Sequence, residues 1–497
     1  MSAIRPPPGP HAQARPGESM PISPLARWHV PSLARLSLAQ ASARLARGET
    51  TSEALTAASL DVIAQAQPLV NAFIRLDADE AMQAARRADA ERRAGRVRGP
   101  LHGIPLAHKD IFYRPGKITT AGSAFLEGQR AQEQSAVLAC LDEAGAIDLG
   151  TLNLAEFCVG PTGQNAHTGH CRNPWDTTRI TGGSSSGSGA AVAARMVFGS
   201  IGSDTGGSIR LPAGICGLTG LKPSYGRISL RGAVQRCWSL DVFGPIARSA
   251  EDAALLFDAI DHFDACDPWS RALHVTDVPP ADDWRPVIAV PQGALDGLPS
   301  DLAAAHEAAL RDLHAAGVRL QAVDMPDIGR LYDVTSVINN VEATWLHRQR
   351  LEAEPQRFNG STRSRIDRGH GIPGLDYLDA VNGRAVERAC FESESLGEAD
   401  ALYLPLLEID VPRLDDVVFD DTRGADDIVP RITRWTRFVS YLGLPALAMP
   451  VGRSATGMPV AAQLVGRYFR DRALLQVASR YQRVTDWHRA EPGGLHA

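Results

Sequence analysis

Of 51 basic side chains only three are lysine, Lys109, Lys117 and Lys222; the rest are arginine. A buried lysine can give up its proton, whereas a guanidinium keeps its charge, so each lysine is a candidate for work that needs a neutral amine. Serines crowd into two glycine-rich turns. One is Thr181-Gly182-Gly183-Ser184-Ser185-Ser186-Gly187-Ser188-Gly189; the other is Gly202-Ser203-Asp204-Thr205-Gly206-Gly207-Ser208-Ile209-Arg210. Between them Ala190-Ala191-Val192-Ala193-Ala194 is apolar enough to bury, so the turns bracket a rigid connector and not a flexible linker. A serine hydroxyl is a weak nucleophile until a neighbouring base takes its proton.

Other chemistries compete for the same residues. A P-loop needs Gly-Lys-Ser/Thr, which neither turn supplies, and Gly116-Lys117 is followed by Ile118. The dinucleotide fingerprint fails at Gly187-Ser188-Gly189, where Val192 stands in place of the last glycine. Gly183-Ser184-Ser185-Ser186-Gly187 does fit the G-x-S-x-G nucleophile elbow with Ser185 central, which keeps a Ser-His-Asp esterase in view. His108, His167 and His170 all lie upstream of that serine, but triads are defined by geometry and not by order. His167 and His170-Cys171 lack further spaced ligands, so no metal is expected, and no organic cofactor.

Several motifs taken together resemble the amidase signature family. They are Gly182-Gly183-Ser184-Ser185 with its alanine-rich follower, Asp204 to Pro212, Cys216-Gly217 and Gly220-Leu221-Lys222-Pro223. Gly103-Ile104-Pro105 leading to Lys109-Asp110 is similar too, as are Arg172-Asn173-Pro174-Trp175-Asp176 and Ser239-Leu240-Asp241 with Gly244-Pro245. Leu444-Pro445-Ala446 and Gln463-Leu464-Val465-Gly466 extend the match, which spans about residues 35 to 485. The resemblance implies a Lys–Ser–Ser apparatus: Lys109 as base, Ser184 as bridge held in a cis peptide after Gly183, and Ser208 as nucleophile. The two serines are 208 − 184 = 24 residues apart, the family spacing. Ile180-Thr181, Ser186 and Gly189 depart from the family pattern without touching those three positions.

The backbone N–H groups of Thr205, Gly206, Gly207 and Ser208 are the expected oxyanion hole, because glycines let amides crowd around a developing negative charge. Ser185 is expected to help orient Lys109, and Asp204 and Arg210 to brace the loop. Lys222 reads as structural and Lys117 as a surface residue. The expected activity is an amidohydrolase that cleaves a small-molecule carboxamide through a serine acyl-enzyme. A glutamine-amidase subunit of a tRNA-dependent amidotransferase, which frees ammonia for partner subunits, is the alternative. The acyl pocket is expected from the variable region of about residues 328–398, where Trp345, Phe358, Tyr377 and Phe391 are candidate lining or core.

The elements that must carry these residues alternate. Helices over 37–48, 51–67 and 77–93, with Ser37 and Thr51 as caps, precede a short strand that delivers Lys109. A helix over 134–144 and a strand over 146–149 follow; beyond the serine turns come a helix over 249–260, a strand, a helix over 301–316 and another strand. Residues 328–398 read as long helices with a loop-like insert from Phe358 to Gly374, and strands over 444–451 and 460–466 precede a last helix over 471–483. This predicts an α/β fold: one large domain over 31–490, catalytic core about 100–250, with a mixed, mostly parallel central sheet covered by helices on both faces. Residues 1–30, rich in Pro, Ala and Arg, read as a disordered tail, with Met20 as an alternative start. The 44% hydrophobic and 22% charged composition with a modest, scattered net charge of −6 gives no sign of a nucleic-acid footprint, and no apolar run reaches bilayer length. Seven cysteines without a C-x-x-C pair fit reduced thiols in the cytoplasm, and a homodimer is left open.

Overall fold

The computed structural model describes residues 28–272, 283–417 and 425–493, and the short strand Leu495–His496. Most of the expected tail, with Met20, lies outside the described residues. Its last three residues are instead part of the fold: Trp28 and Val30 are buried, and Trp28 Nε1 donates to Ala194 O at 3.2 Å.

β1 (Trp28–His29) pairs with β13 (Leu495–His496) in a small separate sheet. The main sheet draws β2 (Phe73–Leu76), β3 (Pro105–Lys109), β4 (Ile147–Leu152), β5 (Gly199–Asp204), β6 (Thr219–Lys222) and β7 (Val242–Ala247) from the first half. The second half adds β8 (Val287–Pro291), β9 (Arg319–Val323), β10 (Ala401–Pro405), β11 (Ala446–Arg453) and β12 (Pro459–Gly466). Their spatial order is β2-β4-β3-β5-β7-β6-β11-β12-β10-β8-β9, an 11-stranded sheet.

The sheet is mixed. Parallel pairs occur at β4–β3–β5 and at β10–β8–β9, and the pairings between and beyond these blocks are antiparallel. Parallel character is thus less extensive than helix–strand alternation suggests. It holds where a helix separates neighbouring strands, as Ser300–Ala315 separates β8 from β9. β11 and β12 are joined by a tight turn, Ser454 to Gly457, which only an antiparallel pair can use.

Strand residues alternate between faces, and both faces are covered. Leu106 of β3 joins the apolar cluster that contains Leu256 and Phe257, whereas its neighbour Ala107 joins the cluster of Val62 and Ala190 to Val192. By the same alternation Lys109 shares the Ala107 face, the side of the alanine-rich helix Ser186–Ala193, and His108 the other. Helix starts follow the expected caps: Ser37 closes a capping box with Gln40, and Ser249 Oγ accepts from Asp252 N at 3.1 Å.

The insert from Phe358 to Gly374 is not a loop. It holds the helix Gly360–Ile366 and a 3-10 turn, Asp367–Gly371, anchored by buried Phe358 and Ile366. A further helix, Ala425–Leu442, packs along Ile328–Ala353 and supplies residues to the serine turns. No helix among the described residues is long and apolar enough to cross a membrane.

Candidate active site

β3 ends on Lys109, whose side chain is fully buried. Its Nζ donates to Ser184 Oγ at 2.6 Å and to Ser203 Oγ at 2.8 Å. Burial lowers the amine from the usual lysine range, and the nearby Cys158, Asp241 and Asp204 offset this only in part. The buried His108 faces away, with Nδ1 3.2 Å from Lys109 O and Nε2 3.4 Å from Asp148 Oδ2.

The first serine turn is locked from several sides. The Gly183–Ser184 peptide is cis. Gly183 N donates to Pro161 O (2.6 Å), and Ser184 O accepts from Ala155 N (3.1 Å). Gly182 sits at φ +73°, and a Cβ there would lie 2.9 to 3.0 Å from Ile215, Leu211 and Pro212. The two turns therefore pack directly on each other, the second continuing into the helix Arg210–Ile215.

That second turn is built around Asp204 at the end of β5. Its carboxylate accepts from Gly207 N (2.7 Å), Ile209 N (3.1 Å), Arg210 Nε (3.0 Å) and Arg210 Nη2 (2.8 Å). Burial alone would raise this carboxyl, but the Arg210 guanidinium outweighs it and holds the group at about 2. Arg210, fully buried, also reaches Gln463 Oε1 (2.6 Å) on β12, and Thr436 O (2.9 Å) and Ser440 Oγ (3.0 Å) on the helix Ala425–Leu442. Thr436 Oγ1 donates to Gly206 O at 2.6 Å. Thr205 Oγ1 donates to Asp241 Oδ1 at 2.5 Å, and burial pushes that carboxyl up to about 6.

The structure brings Lys109 and Ser184 into contact and sets Ser208, half-buried, on the adjoining turn. No hydrogen bond joins Ser208 to Ser184 among the described residues. Of the four amides expected to face a developing oxyanion, Gly207 N–H is taken by Asp204. Those of Thr205, Gly206 and Ser208 have no such partner among the described residues. Ser185 makes no hydrogen bond to Lys109 among the described residues; its hydroxyl bonds the main chain of Ser203, donating to O (3.2 Å) and accepting from N (3.4 Å). It thus places the strand residue whose own hydroxyl meets Lys109.

Ser203 and Cys158, whose Sγ lies 3.8 Å from Ser203 Oγ, were not legible in the sequence. The one signal for Ser203 is its place before Asp204 on a strand beside the Lys109 strand. Lys222 is buried, donates to Pro223 O (2.8 Å), and is lowered to about 7 by burial and by Arg210. Lys117 pairs with Asp77 and Glu80. His167 bonds Glu156 (3.0 Å) and His170 accepts from Asn165 N (3.2 Å), so neither attends a serine turn. Phe358 and Phe391 are core, whereas Trp345 and Tyr377 line an open apolar groove with Trp238 and Trp269.

Comparison with known proteins agrees with this architecture. The family model described as Amidase matches residues 54–475. A glutamyl-tRNA(Gln) amidotransferase subunit of Halorhodospira halophila is 38% identical over 487 residues, covering 92% of this chain and 99% of that protein. Among solved structures, a chain of an inhibitor-bound vestigial protein complex, described as revealing the evolutionary origins of an s-triazine catabolic enzyme, superposes with TM-score 0.82 at 31% identity, over 90% of this chain and 98% of that one. The native peptide amidase of Stenotrophomonas maltophilia gives 0.75 at 28% identity, over 91% and 97%. A match that runs from before the Lys109 strand to beyond β12 takes in every segment gathered at the two turns, and the chain belongs to the amidase family, hydrolases of carbon–nitrogen amide bonds.

Proposed function

We propose that this enzyme hydrolyses a small-molecule carboxamide through an acyl-enzyme on Ser208, with Lys109 as base and Ser184 as proton relay. The observation that carries the reading is a fully buried lysine amine 2.6 Å from the hydroxyl of Ser184. Burial favours the neutral amine, and that separation suits a hydrogen bond in either direction. In this relay a neutral Lys109 donates to Ser203 and accepts from Ser184, and Ser184 takes up the Ser208 proton only as Ser208 attacks.

As Ser208 Oγ bonds to the amide carbon, its proton passes to Ser184 Oγ and the Ser184 proton passes to Lys109 Nζ. The carbonyl oxygen gathers charge against the amides of Thr205, Gly206 and Ser208. Gly207, with its N–H held by Asp204, keeps the turn in shape. The relay then runs backwards and protonates the leaving nitrogen as the C–N bond breaks. Water attacks the ester by the same route, releasing the acid and restoring Ser208. The working site is cytoplasmic.

A glutamine-amidase role within a tRNA-dependent amidotransferase is the second reading, favoured by the 38% identity to a protein of that assembly. Ammonia release by the purified chain from simple amides and from glutamine separates the two, since a protein in that role acts on glutamine and needs its partners. Fluorophosphonate labelling tests the residue roles. Wild type should label on Ser208, Ser208→Ala should not, and Lys109→Ala should label and turn over far more slowly. Full activity in Lys109→Ala with loss in His108→Ala would return the reading to a histidine-dependent esterase.

A further inference from the structure

A cavity of about 240 Å³ beside the second turn is lined by four arginines, Arg236, Arg365, Arg368 and Arg437, together with Ser336 and Asn339. No Asp or Glu among the described residues lines it. It abuts the turn: Arg437 Cγ lies 3.4 Å from where a Cβ on Gly206 would sit, and the preceding Thr436 holds Gly206 O. Arg236 is tied to the same turn through Asp241, which accepts the Arg236 amide at 2.7 Å and the Thr205 hydroxyl at 2.5 Å.

Two of these guanidiniums are short of an anion. Arg236 is only 6% exposed, forms no ion pair among the described residues, and leaves Nη1 without a hydrogen-bond partner. Arg437 donates to Ser336 Oγ (3.1 Å) and lies over Tyr332, its Cζ 4.6 Å from the ring centroid, again with no acid against it among the described residues. Buried charge without a counter-charge is costly. Asn339 Oδ1 is likewise buried without a partner, so the cavity is polar and unsatisfied, unlike an apolar acyl pocket. Guanidinium forks match planar carboxylates, and the cavity has none of the glycine-rich backbone nest that favours phosphate.

We infer that this cavity binds a carboxylate on the substrate, so that the amide cleaved belongs to a small acid carrying a second, ionised carboxyl group. The inference rests on the amidase reading above, whose serine turn the cavity adjoins. Arg236 and Arg437 grip the carboxylate.

Titration calorimetry with malonate, succinate, glutarate and adipate, each against its neutral diamide, reads the site without turnover. Wild type should bind at least one diacid at least about tenfold more tightly than its diamide, the effect of one charge-assisted pair. Arg236→Met and Arg437→Gln should each weaken that binding by about 10- to 100-fold. Arg311→Gln, an arginine on the helix Ser300–Ala315 away from the cavity, controls for net charge and should bind as wild type does. Circular dichroism checks each variant; if Arg236→Met does not fold, Arg437→Gln decides alone. Equal affinity for diacid and diamide, binding that survives the substitutions, or equal competition by inorganic phosphate overturns the inference. The amidase reading is judged apart from this, by ammonia release and its loss in Ser208→Ala. An enzyme that hydrolyses neutral amides yet ignores the diacids refutes only the carboxylate site.

Discussion

Replacing Asp204 by Asn tests the idea that one buried carboxylate shapes the turn carrying Ser208. The side chain is fully buried, takes two hydrogen bonds from the Arg210 side chain and takes the amides of Gly207 and Ile209. An asparagine turns one acceptor oxygen into a donor that faces other donors, and leaves a buried guanidinium uncompensated. Breaking such a pair from one side costs about 3–5 kcal/mol. For a chain of 497 residues the unfolding entropy is roughly 1 kcal/mol per kelvin, so Tm should fall by about 3–5 °C. Because Gly207 and Ile209 flank Ser208, the fluorophosphonate labelling rate should fall about 10²-fold, the effect of a displaced catalytic group.

The same carboxylate sets a pH dependence. Its folded-state value of about 2 lies below the ordinary 3.8. The stabilisation, about 2 kcal/mol, is therefore present above pH ~4 and lost as pH falls toward ~2. Asp204→Asn should abolish that component of the acid transition. The double variant Asp204→Asn/Arg210→Met, with no charge left unpaired, should recover much of the Tm but not the labelling rate. Calorimetry and labelling that place Asp204→Asn within 1 °C and threefold of wild type (both ~ assay error) would refute the argument.

Other expectations are independent of this one. Lys109→Met should lower amide hydrolysis by about 10³-fold or more while leaving Tm unchanged or higher, because it removes a buried amine; Lys109→Arg, unable to lose its proton, should be equally inactive. In the wild type kcat/KM should fall on the acid side as Lys109 becomes protonated, at a pH below the ordinary lysine range. Ser203→Ala removes an acceptor that favours the charged amine, so that acid limb should move to lower pH in a kcat/KM profile. Gly207→Ala places a Cβ 2.7 Å from Thr436 Oγ1 at φ +134°, and should cost about 2 kcal/mol or more by thermal unfolding and abolish Ser208 labelling.

The contact between Lys109 and Ser184 is legible in the sequence through the resemblance to the amidase signature family; the local patterns show only a strand ending on a rare lysine and a glycine–serine turn before a buried helix. Neighbours supplied by distant segments are less legible. Thr436, Arg437 and Ser440 sit on the helix Ala425–Leu442, whose apolar residues 428, 432, 435, 439 and 442 do recur at helical spacing, but a period shows that a helix buries one face and not that it packs against the serine turns. Ser203 lies in a glycine- and serine-rich strand with no hydrophobic alternation, so nothing marks the side facing Lys109. Spacing alone groups Gly207 with the amides free to face an oxyanion, since it does not show that Asp204 folds back onto it. Trp28 reads as tail because its neighbours are Pro, Ala and Arg; its partner Ala194 is 166 residues away.

Arg210 ties the turn that carries Ser208 to residues 226 to 253 positions further along the chain. A ribosome-bound chain that has emerged only as far as Ser208 therefore holds all three residues of the proposed relay without the clamp that orders them. A product truncated before the segment from Thr436 to Gln463 would lack that clamp and should be inert.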